Sequence, residues 1–345
     1  MPLKYVSRTE LDQWVSVLVQ EKGRKFYGVK EKDGRFAFDE IVDASELRLD
    51  YDIALMPPKI YFQPAREEIL KFKTGGVEYQ SVLDKSPFVL FGVHPYDIVA
   101  INQMDKIFTM ENRDEHYLAR REASVLVGLD VEKVSANHFA GSMGTSIAKT
   151  GWDVLLTRLG DHYLVQSATP KGEKLMASLS GGEKGTNEHL AEREKIWLRN
   201  CAEMRRHELK CAPEDLHAFL EDGYEHPIWE EKARLCFSCG SCNLVCPTCY
   251  CYDVQDEVDW DLKCGSRCRN LDGCMLKDFA VVAGDHNFRK RKADRYRHRF
   301  LRKGKFVPEK MGEIACVGCG RCISACVSKI ANPVEIYNRL VEGVR

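Results

Sequence analysis

The chain lacks long hydrophobic runs. No window approaches the roughly 18 to 20 consecutive apolar residues that a membrane-spanning helix needs; the longest, such as FVLFGV at Phe88 to Val93, read as buried strands. The opening MPLKYVSRTELDQWVSVLVQEKGRK is charged throughout, without the apolar centre of a secretory leader, so the expectation is a cytoplasmic protein off the membrane. Net charge is missing as well: 51 Lys and Arg against 52 Asp and Glu leave −1, which argues against a nucleic-acid binder. No G-x-G-x-x-G follows a strand, and SGGEKGTN at Ser180 to Asn187 reads as a loop, so the chain is expected to bind no nucleotide. No convergent acid–base or nucleophile pattern is visible, so no catalytic residue and no substrate site are assigned. Finally, cysteine is absent before Cys201.

Cysteine is then abundant. Of 15 in the chain, all but Cys201 and Cys211, which read as structural, lie from Cys236 onward. In a cytosolic chain, short regular spacings point to metal rather than disulfides. With 345 residues and 44% apolar content there is enough for two cores. Residues 1–186 alternate apolar runs with charged helical stretches. LDQWVSVLVQ has helical spacing, SPFVLFGV is strand-like, and WDVLLTRLGDHYLVQSAT reads as two strands about Gly160-Asp161. Residues 187–233 are charged and helical, punctuated by Pro213 and Pro227, and read as a connector. Residues 234–345 form the metal domain. The expected class is α+β: an α/β-type scaffold or docking domain, a helical connector, then a ferredoxin-like domain with two clusters.

Cys236-Phe-Ser-Cys239-Gly-Ser-Cys242-Asn-Leu-Val-Cys246-Pro247 matches the bacterial ferredoxin run C-x2-C-x2-C-x3-C-P, and Cys316-Val-Gly-Cys319-Gly-Arg-Cys322-Ile-Ser-Ala-Cys326 repeats it with Val327 in place of proline. Three thiolates on one tight loop reach three irons of a cubane, and the fourth points toward the neighbouring cluster. That assigns Cys236, Cys239, Cys242 and Cys326 to one 4Fe-4S cluster and Cys316, Cys319, Cys322 and Cys246 to the other. Glycines between the ligands let backbone amides approach sulfur. Structural zinc, the alternative, normally takes two separated C-x2-C pairs.

Cys249, Cys251 and Cys274, with His286, are the candidates for a third centre; the alternative is buried thiols packed beside the clusters. Cys264 and Cys268, four residues apart, suit either a shared helix face or a surface loop. His286 and His298 are the histidines nearest the clusters in sequence, placed to tune potential or merely to hydrogen-bond. The basic block Arg289 to Lys305, with Tyr296 and Phe300 interleaved, reads first as a docking surface for an acidic redox partner. The alternative function is an iron–sulfur nucleic-acid binder using segment 289–305.

The stretches MPPKIYFQPAREEILKF (Met56–Phe72), FGVHPYDIVAINQMDKIF (Phe91–Phe108), EHPIWEEKARLCFSCGSCNLVCPTCYCYDVQD (Glu225–Asp256), AGDHNFR (Ala283–Arg289) and CVGCGRC (Cys316–Cys322) resemble one family over nearly the whole chain. It is the β-subunit family of cytoplasmic sulfhydrogenases, with the A subunit of anaerobic sulfite reductase among its relatives. The resemblance implies an electron conduit in a hetero-oligomer, between a flavin subunit carrying FAD and meeting NAD(P)H and a separate catalytic subunit. That subunit is of a hydrogenase, sulfite reductase or heterodisulfide-linked kind. One departure concerns amino-terminal cysteines usual in the family: Tyr96 stands at one such position, His138, Phe139 and Ala140 replace a Cys-Phe-Cys, and Gly128 to Asp130 lack another. Any cluster those cysteines hold in relatives is not expected here, which leaves the amino-terminal domain as a docking scaffold.

Overall fold

The computed structural model describes residues 2–343; Met1 and residues 344–345, the outer ends of the first and last expected domains, lie outside the described residues. In chain order the strands are β1 (Leu3–Ser7), β2 (Lys25–Lys32), β3 (Arg35–Glu40), β4 (Arg66–Lys73), β5 (Tyr79–Ser81), β6 (Phe88–Val93), β7 (Ser124–Leu129), β8 (Val154–Leu159), β9 (His162–Ser167), β10 (Glu183–Lys184), β11 (Tyr252–Val258), β12 (Cys264–Leu271), β13 (Val281–Val282) and β14 (His286–Asn287). The helices used below are α1 (Arg8–Val19), α2 (Pro95–Thr109), α3 (Glu115–Ala123), α4 (Pro170–Met176), α5 (Asn187–Glu203), α6 (Leu216–Asp222), α7 (Ile228–Arg234), α8 (Ser241–Leu244) and α9 (Lys292–Leu301), followed by α10 (Val307–Met311), α11 (Arg321–Ala325) and α12 (Pro333–Gly343). The mixed content makes the class α+β.

Eight strands build the large sheet in the order β10-β1-β9-β8-β7-β6-β2-β3, parallel across β2, β6, β7 and β8 and antiparallel at both margins. The parallel centre is covered on both faces, which is why β6 and β7 read as unbroken apolar runs and every residue of both is buried. α1 shows how a helix joins this core. Ser7 caps it, accepting from the Glu10 amide while Glu10 Oε2 accepts from the Ser7 amide at 2.8 Å, a reciprocal box worth about 1 kcal/mol. Leu11, Trp14, Val15 and Leu18 then recur at helical spacing and are buried.

A second sheet, β11-β12-β4-β5, draws two strands from either side of residue 233, so residues 252–271 share a sheet with residues 66–81. A buried ion network holds the seam. Arg269 Nε of β12 donates to Glu67 Oε1 of β4 at 2.6 Å, and Arg120 of α3 meets the other Glu67 oxygen at 2.5 Å. Breaking such a pair on one side costs roughly 3–5 kcal/mol because the remaining charge stays buried. Cys264 and Cys268 lie on β12 rather than on a helix; Cys268 is buried with its sulfur 3.2 Å from Arg66 Nη2, and Cys264 is exposed. Cys201 and Cys211 are half-buried.

The cysteine runs pack into a smaller core with α6, α7, α9 and α12, around Trp229, Tyr296, Phe300, Ile336, Tyr337 and Leu340. Its contact with the large sheet falls at the carboxyl ends of β6 and β7, the edge where open parallel sheets usually receive ligands.

Candidate iron–sulfur site

Both cysteine runs adopt one loop conformation. The residue two after the first cysteine is left-handed in each, Ser238 (φ 56°) and Gly318 (φ 64°), and so is the residue four after it, Gly240 (φ 72°) and Gly320 (φ 75°). A short helix follows each, α8 and α11, and the two pack against one another. The left-handed turn aims a backbone N–H at sulfur: the Ser238 amide donates to Cys236 Sγ at 3.3 Å, and the Gly318 amide likewise bonds the Cys316 sulfur. Such N–H···S bonds stabilise a thiolate ligand and help set cluster potential.

The structure brings cysteines of the two runs close to one another. Cys246 leaves its own run and lies among Cys316, Cys319 and Cys322, each of which feels its charge. Cys242 lies near Cys274, Cys236 and Cys326. Cys246, Cys316, Cys319 and Cys322 line one small cavity of about 20 Å³, walled by Pro247, Phe139, Arg299 and Lys303. Cys236, Cys242 and Cys326 are half-buried, and Cys239 is exposed with its sulfur 3.4 Å from Ser241 Oγ. Among the described residues no three His, Cys, Asp or Glu side chains converge as ligands of a single ion do. The thiols are arranged around a volume, and that suits a cubane, in which each thiolate binds its own iron. Burial pushes the Cys316 thiol up to about 11 and the Cys319 and Cys322 thiols up to about 12, so these sulfurs ionise only against a compensating cation.

Part of that compensation is protein charge. α9 and the π-helical turn after it (Arg302–Phe306) carry Arg295, Arg299 and Lys303 at four-residue intervals, and all three are buried, with Tyr296 and Phe300 between them. From Arg295 onward the segment is therefore not the open basic surface expected from its composition, while Lys290, Arg291 and Lys292 stay exposed. Its interleaved aromatics are core, and its inward cations face sulfur because a buried anion without a partner is too costly. Lys303 Nζ donates to Thr248 Oγ1 at 2.8 Å and to the Ala315 carbonyl at 3.1 Å. Burial works against its charge, and Cys246 and Cys249 outweigh burial, so the ammonium is held protonated. Arg299 donates to the Cys242 carbonyl at 3.0 Å, while its buried Nε and Nη1 have no protein partner.

Arg321 locks the second run to the sheet edge. Its two Nη atoms donate to the two Asp97 oxygens, both at 2.6 Å, and Nε donates to the Ala54 carbonyl at 2.7 Å. Asp97 sits in the first turn of α2, where a carboxylate also faces the helix N-terminus. The glycines of this run serve close approach: a Cβ on Gly318 would stand 2.6 Å from the Ala140 amide nitrogen, and one on Gly320 would stand 2.3 Å from the Asn137 carbonyl oxygen. Phe139 N–H donates to the Gly318 carbonyl at 2.9 Å, completing the seam.

At the positions of the expected amino-terminal departure, this chain has an aromatic and histidine cluster. The Tyr96 hydroxyl and His94 Nδ1 are 2.8 Å apart, Tyr51 stacks on His94 at 3.9 Å, and His138 meets Tyr96 edge-on at 4.8 Å. Ala140 is buried beside Tyr96, and Asp130 accepts from Thr157 Oγ1 at 2.6 Å. Burial pushes His138 down to about 3, leaving a neutral ring whose two nitrogens find no protein partner.

Of the third-centre candidates, Cys249, Cys251 and Cys274 line a common cavity, and His286 does not. His286 is exposed on the β13–β14 ribbon against Phe288. His298 is half-buried on α9 beside Phe306, and burial pushes it down to about 4. Sequence reasoning missed Lys59 and Gln63, which donate to the Cys249 and Tyr250 carbonyls at 2.6 and 3.0 Å. It also missed the inward role of Arg299 and Lys303, although their four-residue spacing was in view.

Two cysteine loops of matched conformation mark an iron–sulfur protein, and the 4Fe-4S dicluster domain family matches residues 235–330. The chain is also 32% identical over 332 residues to sulfhydrogenase 2 subunit beta of Pyrococcus furiosus, covering 94% of this chain and 95% of that protein. No solved structure matches. The chain belongs to the sulfhydrogenase β-subunit family. No helix among the described residues is long and apolar enough to cross a membrane.

Proposed function

We propose that this chain is an electron-relay subunit of a hetero-oligomeric, hydrogenase-type redox complex. In this reading it carries single electrons through two 4Fe-4S clusters, between a flavin-containing subunit that binds FAD and meets NAD(P)H and a separate catalytic subunit. The observation that supports the reading is that Cys246 lines one cavity with Cys316, Cys319 and Cys322 while Cys326 lies near Cys242, as two crossed four-cysteine sites would require. When bound, each cluster supplies a one-electron couple. The protein's part is to set charge, exclude water and expose one end. Lys303, Arg299 and Arg321 place fixed positive charge beside the inner set, and Phe139 and Val317 close it to solvent. The outer set opens to the surface at Cys239, ringed by Leu235, Phe237 and Val327, which are 60, 71 and 78% exposed. An apolar ring around an exposed ligand, flanked by Arg234, Lys292 and Lys329, suits a transient contact with an acidic-rimmed redox partner.

The test is anaerobic reduction by NADPH or NADH with and without co-purified partners. Reduced-cluster paramagnetism in this chain should appear only when the flavin subunit is present. Direct reduction of the isolated chain by the nicotinamide, or none in the complete complex, would overturn the assignment.

A further inference from the structure

Beside the small cavity of the inner set lies a second one of equal size, about 20 Å³ each. Its wall carries three sulfurs, Cys249, Cys251 and Cys274, with Arg299, Arg302 and Lys303. Arg299 and Lys303 face both spaces, whereas Arg302 lines only this one. We propose that this cavity is a third iron–sulfur centre, ligated by the thiolates of Cys249, Cys251 and Cys274 and leaving one iron site without a cysteine.

Four independent features fit. The buried Asn243 amide spends its nitrogen on sulfur alone, approaching Cys274 Sγ at 3.5 Å and Cys249 Sγ at 3.6 Å, and its oxygen is fixed by the Met275 amide at 3.1 Å. That is the N–H···S support a thiolate ligand needs, provided by a side chain locked in place. The Arg299 Nε and Nη1 atoms are buried without a protein partner in the wall shared by the two spaces, where a bound anionic group would satisfy them. The loop bearing Cys249 and Cys251 is held from behind by Lys59 and Gln63, so both sulfurs are positioned by the amino-terminal domain. Positive charge is also in excess for one cluster: Lys59, Arg299, Arg302 and Lys303 all act on the thiols of this cavity or of Cys246.

The proposal adds to the two-cluster reading and fails separately from it. Iron, zinc and acid-labile sulfide are measured on the full chain purified anaerobically and separated from its partner subunits, with Mössbauer spectra to resolve cluster types. The wild-type chain should hold about eleven or twelve irons, against about eight for two cubanes alone. Cys251→Ser/Cys274→Ser should lose about three or four irons while retaining the spin-coupled spectrum of the two ferredoxin-type clusters. Eight irons in the wild type, or one zinc with eight irons, would overturn the third centre and leave the relay intact. Fewer than eight, with one ferredoxin-type signal missing, would instead strike at the relay. Should the double variant not fold, the wild-type iron count and its Mössbauer quadrupole components decide by themselves.

Discussion

Arg321→Met removes the charge that seats the inner cluster loop on the sheet edge. In the native chain the guanidinium makes two 2.6 Å bonds to Asp97, with both side chains essentially inaccessible at 2% and 0% exposure. A surface pair would be worth 1 kcal/mol or less. Here the substitution strands a carboxylate in a site with no water and removes the donor to the Ala54 carbonyl, so the expected cost is about 3–5 kcal/mol. At 1.4 kcal/mol per decade that is roughly two to three and a half powers of ten in the folding equilibrium. Asp97→Leu/Arg321→Met removes both charges together and should recover most of the loss, because a buried ion pair is often no better than a packed apolar pair. The assay is an anaerobic denaturant titration followed by tryptophan fluorescence and by bleaching of the iron–sulfur absorbance. The inner set should bleach first in Arg321→Met, as its loop is the one released. A cost near 1 kcal/mol for the single variant, or additive losses in the double variant, would refute the argument that the pair is a desolvated lock.

Lys303→Met should lower the reduction potential of the cluster at Cys246, Cys316, Cys319 and Cys322, since a lost cation disfavours the added electron. A unit charge about 7 Å away in an effective dielectric of 20 is worth on the order of 100 mV, read by redox titration with paramagnetic detection. Gly320→Ala places a Cβ against the Asn137 carbonyl in a left-handed residue and should deplete inner-cluster iron more than outer, measured as iron per chain. His138 is held neutral by burial with a folded pKa of about 3, below the ordinary value near 6.5. The unfolded chain therefore binds the extra proton first, and the stability due to the neutral ring is complete above about pH 6.5 and lost as pH falls towards 3. His138→Phe should flatten the decline of thermal stability between pH 7 and 5, measured by calorimetry of the intact chain; an unchanged slope would contradict the burial account.

The α+β class and the 4Fe-4S dicluster domain were legible because both rest on local patterns. An unbroken run such as FVLFGV has few alternatives to a covered strand, and cubane ligation fixes spacing within one loop. Pairing across distance was not legible. Nothing local to CGSRCRNL announces that β12 will pair with β4 nearly two hundred residues earlier, and the four-residue spacing of Cys264 and Cys268 mimics a helix face. The basic block misled for a physical reason: composition counts Arg299 and Lys303 as solvent-seeking, and only the thiolates opposite them make their burial favourable. His286 was drawn to the third site by proximity in sequence, yet the short ribbon that bears it folds back to the surface.

The crossed ligation is tested most directly by paramagnetic resonance of the dithionite-reduced chain carrying Cys246→Ser or Cys326→Ser. The account requires Cys246→Ser to alter the same cluster signal as Cys316→Ser, and Cys326→Ser the same signal as Cys236→Ser. If each substitution instead perturbs the cluster of its own run, or if zinc replaces iron throughout, the relay described here is wrong.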